Sequence, residues 1–97
     1  MSRTYAVVWS ENGSTASGRL DAFGDRFELD TRTQHVSIPF AEVEDASIER
    51  GRASRLRGLP VLQLGRIGRP PLCIASLEGT AVLHELFDQI ERTSLAR

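Results

Sequence analysis

A chain of 97 residues, 40% hydrophobic and 26% charged, has room for one modest core, which excludes disorder and a multidomain enzyme and makes residues 1–97 a single domain. Net charge is only −1, no run of about 18 apolar residues exists, and the N-terminal region lacks a signal-peptide core, so neither a transmembrane span nor export is expected. With Cys73 as the only cysteine no intrachain disulfide can form, and the cytoplasm is the simplest compartment.

In chain order, Tyr5–Trp9 is a first strand, rich in aromatic and β-branched residues, with Tyr5, Val7 and Trp9 on one face. Ser10–Ser17 reads as a polar, glycine-containing loop. Within it, the run from Gly13 to Gly18 superficially resembles a phosphate loop. Arg19 and Leu20, however, stand where a lysine and a hydroxyl residue are needed to hold a terminal phosphate and magnesium, so that motif is rejected. Gly18–Phe23 and Arg26–Asp30 form the clearest hairpin, with Gly24-Asp25 suited to a II′ turn. Phe27 and Leu29 alternate with Arg26, Glu28 and Asp30, the pattern of a strand buried on one side.

A polar turn leads to His35–Ile38, with Val36 and Ile38 inward, and Pro39 ends or edges that strand because it cannot donate to a ladder. Phe40–Val43 is a short bend before a strand over Asp45–Arg50. Gly51–Gly58 is a basic loop, Pro60–Leu64 a strand, Gly65–Pro71 a connection and Leu72–Leu77 another strand. Cys73, in the apolar run Leu72–Ala75, is expected to be a buried, inert thiol. The last segment, Thr80–Thr93, is a helix. Val82, Leu83, Leu86, Phe87 and Ile90 fill an arc roughly 140° wide, with His84, Glu85, Asp88, Glu91 and Arg92 opposite. Thr80 can cap it. A helix this short is marginal alone, and burying five such side chains at about 1.5–3 kcal/mol each dictates that it lie on the strands. The expected fold is therefore mostly β with one C-terminal α-helix: a bent antiparallel sheet or partly open barrel of about seven strands capped by residues 80–93.

Charge is distributed unevenly. Residues 11–49 carry nine acids against three arginines; residues 50–77 carry six arginines and no acid; the tail from Glu78 is acidic again. Arg50, Arg52, Arg55 and Arg57 crowd one glycine-bounded loop, where forked guanidiniums can bind phosphate or carboxylate. The plainer alternative is a solvated loop that maintains solubility. Nucleic acid is disfavoured, because the chain is net acidic and no aromatic interleaves the arginines. His84 and Asp88 can pair one helical turn apart, as can Asp88 and Arg92. No motif places a nucleophile beside them, and two distant histidines with one apolar cysteine make no zinc set, so no catalytic residue, metal or cofactor is expected. Phe23 lies on the polar parity of its strand; exposed beside Arg19 or Arg26 it would be a contact hot spot.

Ser17–Phe23 with Arg26–Leu29, then Ile38-Pro39-Phe40 continuing through Val43 to Ile48, resemble the pleckstrin-homology-like superfold in its bacterial and GRAM-like versions. The resemblance spans about residues 4–93 and rests on patterning and one proline. It implies a non-enzymatic domain that binds a lipid headgroup or peptide, or serves as an assembly module. The basic residues that hold inositol phosphates on the first hairpin of lipid-binding members have no counterpart in Ser10–Ser17, so that site is not carried over. The expected role is a protein-binding or self-associating module. The alternative is an anionic-ligand or lipid-headgroup module using Arg50, Arg52, Arg55 and Arg57.

Overall fold

The computed structural model describes residues 3–95. Its elements are β1 (Arg3–Glu11), β2 (Ser14–Ala22), β3 (Arg26–Asp30), β4 (His35–Pro39), β5 (Val43–Glu49), β6 (Val61–Arg66), β7 (Arg69–Ser76) and α1 (Thr80–Leu95). The strands form one antiparallel sheet in the order β4-β3-β2-β1-β7-β6-β5, curled into a half-barrel. Two meanders, β1 to β4 and β5 to β7, meet at a single seam where β1 pairs with β7 from Val7↔Ser76 to Glu11↔Leu72.

Tight turns make the meanders. Asn12 (φ 50°) and Gly13 (φ 84°) both occupy the left-handed region, so β1 and β2 are joined by a two-residue turn of the mirror-image kind that matches strand twist. The expected polar loop over Ser10–Ser17 is thus a hairpin, and Ser14–Ser17 belong to β2. The β2–β3 hairpin forms as expected, with the Phe23 N–H donating to the Arg26 carbonyl at 2.9 Å. Gly24 has no positive φ, however, so the turn is not of the II′ type. Between β6 and β7 only Ile67 and Gly68 intervene, and the expected connection over Gly65–Pro71 is mostly strand. Pro70 and Pro71 are tolerated because β1 pairs with β7 only from Leu72 onward, so no ladder donor is missing on that side.

At Gly18 of β2 the main chain of Asp30 comes close: a Cβ would lie 2.0 Å from its carbonyl oxygen, and only a hydrogen fits there. Phe40–Glu42, expected as a bend, is one 3-10 turn linking the two outermost strands. Inward residues of all seven strands and of this turn line the core. Phe27 and Phe40 meet edge to face there, with centroids 4.8 Å apart. Leu83, Leu86 and Ile90 of α1 are buried in it, and Val82 and Phe87 pack partly buried beside them, the arc that helical spacing gives. The helix lies against β5, β6 and β7. It begins at Thr80 itself, so Gly79 (φ 113°), not Thr80, holds the cap position.

One end of the half-barrel closes with charge. The Arg66 side chain, 1% exposed, donates to the Glu11 carboxylate and, through Nε and Nη2, to the Pro70 carbonyl at 3.2 and 2.9 Å. The basic stretch therefore loses one arginine to the interior. Cys73, expected to be buried, is half-buried on the outer face beside Ser10 and Gln63; partial burial, and then Glu49, push its thiol up. Among the described residues no helix is long and apolar enough to cross a membrane.

Candidate functional site

The basic loop between β5 and β6 has internal structure. Arg52–Ser54 make a 3-10 turn, after which Leu56 and Leu59 exchange backbone hydrogen bonds of 3.1 and 2.8 Å. The resulting miniature hairpin has Arg57 (φ 51°) and Gly58 (φ 77°) at its tip. Left-handed backbone is uncommon for a residue with a side chain, so Arg57 is held in place by the two Leu56–Leu59 bonds rather than by its own preference.

The four arginines have different roles. Arg55 straps the loop, Nε donating to the Arg50 carbonyl at 3.2 Å and Nη1 to that of Gly58 at 3.3 Å. Arg50 turns to the helix, its Nη2 2.9 Å from His84 Nε2. A guanidinium can only donate, so in this contact His84 Nε2 is the acceptor. All four residues are exposed; Arg50 and Arg55 are engaged by the bonds just described, and among the described residues no such bond engages Arg52 or Arg57. Two guanidiniums thus shape the surface and two project from it. His84 pairs with Arg50 rather than with Asp88, and Arg92 reaches the Asp88 carbonyl, not its carboxylate.

Directly after this hairpin the chain lines an apolar notch of about 270 Å³ formed by Leu59, Pro60, Ser76, Leu77, Gly79, Thr80 and Leu83. Leu77 stands 50% exposed at its rim. The Leu77 N–H donates to the Ala6 carbonyl at 2.9 Å and the Ala6 N–H to Glu78 Oε2 at 2.6 Å, so the rim is tied to the seam. The sequence pattern does not reveal the notch, since Leu77 has the spacing of an ordinary strand end. Leu59 and Pro60, apolar residues that directly follow the basic loop, are the signal the sequence holds for it.

A second feature was also not anticipated. His35 on the edge strand β4 has Nδ1 2.5 Å from Asp30 Oδ1 and Nε2 2.8 Å from Glu28 Oε1. The two carboxylates, Asp30 foremost, raise its pKa above the ordinary histidine value. Arg26 holds the other oxygen of Glu28 at 3.2 Å and stacks on Phe23 with its guanidinium carbon 4.2 Å from the ring centroid. Phe23 is half-buried, with one face covered by the arginine, so the condition for an exposed contact hot spot is not met.

No protein-family model matches the chain, and no curated protein does. Among solved structures it is similar to the crystal structure of the C-terminal domain of an unknown protein from Leishmania infantum. The TM-score is 0.70 at 14% identity, over 91% of this chain and 81% of that one. At that identity the likeness bears on the fold alone.

Proposed function

We propose that the chain is a non-enzymatic interaction module of pleckstrin-homology-like fold that acts by binding another protein or a second copy of itself. The observation that carries this is the apolar notch with Leu77 on its rim, adjoining a hairpin that projects Arg57. An apolar anchor surrounded by charge that selects the partner is the usual division of labour at a protein contact. The partner surface it fits brings an apolar side chain to Leu59, Pro60, Leu77 and Leu83 and a carboxylate to Arg52 or Arg57. The PH-like assignment is supported by the Ile38-Pro39-Phe40 segment and by two meanders followed by a terminal helix.

A second reading is favoured by Arg52 and Arg57 being exposed on a loop that Arg55 has already strapped: an anionic-ligand or lipid-headgroup module using Arg50–Arg57. One experiment separates the two. The tagged chain, Leu77→Asp, and Arg52→Ala with Arg57→Ala are used to retrieve proteins and lipids from the native cells, beside sedimentation of each. Protein capture or self-association by wild type, lost in Leu77→Asp, is the expected result. Retrieval of lipid or another anion alone, lost only with the arginines, would favour the second reading. Capture unchanged in both variants would remove this surface from the function.

A further inference from the structure

At the other end of α1 lies a larger hollow of about 340 Å³, lined by Arg3, Ala22, Phe23, Gly24, Gln89, Arg92 and Thr93. On the helix the nearest lining residues of the two hollows, Leu83 and Gln89, are six positions apart, about 9 Å along the helix axis. Three parts of the chain supply it: the start of β1, the β2–β3 turn and the last turns of α1. Its size is at the low end of the range of about 300–1,000 Å³ typical of small-molecule clefts.

Among the described residues, the charged groups of the lining are two guanidiniums and no carboxylate. Arg3 is steadied by Glu85 of α1, and Arg92 by its Nε bond to the Asp88 carbonyl at 3.3 Å, so both are positioned from the helix with donors left over. Arg3 is paired with Glu85, and the partial negative charge at a helix C-terminus, about half an elementary charge confined to the last turn, is smaller than the full positive charge of Arg92. Phe23 supplies an apolar wall, and Arg26 fixes its ring by stacking on it. Gly24 lies in open space, so nothing obstructs the mouth on that side. Gln89 adds an amide whose Oε1 is buried and, among the described residues, has no hydrogen-bond partner. Turning that oxygen toward a ligand N–H or O–H breaks no bond to it.

We propose that this hollow binds a small organic anion of amino-acid size whose carboxylate lies beside an N–H or O–H donor. The carboxylate meets Arg3 and Arg92, the donor meets Gln89, and the carbon skeleton rests against Phe23. The site is independent of the basic loop.

The test is a titration of the full-length chain followed by amide NMR, with N-acetylglycine as probe and N-acetylglycinamide and inorganic phosphate as comparisons. Saturable shifts at Gly24, Gln89 and Thr93 are expected with N-acetylglycine and not with its neutral amide. Arg92→Gln weakens the response at least about tenfold, the loss of one charge-assisted contact, whereas Arg52→Ala with Arg57→Ala leaves it unchanged. Equal response to the neutral amide, phosphate bound as well as N-acetylglycine, shifts centred on Arg50–Gly58, no saturable shift, or unaltered binding in Arg92→Gln would each overturn the proposal. Arg92 is exposed, so its replacement tests binding without threatening the fold.

Discussion

Both ring nitrogens of His35 face carboxylates, and both can donate only when the ring is protonated. Asp30, and after it Glu28, therefore raise the folded-state pKa above the value near 6.5 that the unfolded chain has. The resulting stabilisation is fully present below that unfolded value and is lost as the pH climbs through the higher folded one. Wild type should accordingly exceed His35→Gln in stability by more at about pH 5.5 than at about pH 9, a trend that urea unfolding at the two pH values measures. None of this was legible from the sequence, where His35 sits among polar neighbours. Its two partners are five and seven residues away and meet it only because β3 and β4 pair Asp30↔His35 and Glu28↔Ser37.

Elements were legible where apolar side chains set the period. The helix face, β3 and β4 follow from spacing alone, and the structure puts those residues in the core. Legibility failed where ladder hydrogen bonds rather than apolar side chains make the strand. Ser14–Ser17 has no large apolar residue, yet it pairs with Val8–Glu11 because Asn12-Gly13 turns the chain sharply. Two prolines likewise suggested a connection at the start of β7, where the neighbouring strand has already ended. For the notch, its lining comes from the entry to β6, the exit of β7 and the first helical turn, a convergence no local pattern encodes. Gly18 offers a direct check on how the sheet curls. Gly18→Ala should cost upwards of about 2 kcal/mol, since its Cβ would collide with main chain, which cannot rotate away. Gly24→Ala, whose Cβ meets nothing within 4 Å, should be close to neutral. Chemical denaturation of the pair compares them, and equal stability would contradict the close crossing at Asp30.

Across the whole molecule every neighbouring strand pair but one is joined by a short turn or a single loop; the exception is the β1–β7 seam. Closing it brings together residues more than sixty positions apart, the largest loop-closure cost in the fold. Ile74 lies on the seam opposite Trp9, whereas Ile38 lies on the outermost strand β4. Each Ile→Val change should cost about 0.5–1.5 kcal/mol. Ile74→Val should act mainly by slowing folding and Ile38→Val mainly by hastening unfolding, which stopped-flow chevrons distinguish; the opposite partition would place the rate-limiting contacts in the first meander. The seam also matters before the protein is finished. On a ribosome adding roughly 5–20 residues per second, the Val7–Glu11 edge waits from about 3 to about 14 s for residues 72–76 to be made. During that interval the nascent chain exposes the hydrogen-bonding edge of its most central strand, flanked by Val7, Val8 and Trp9. Translation arrested before β7 would therefore release a fragment with an open, apolar strand edge, ready to pair with another nascent copy.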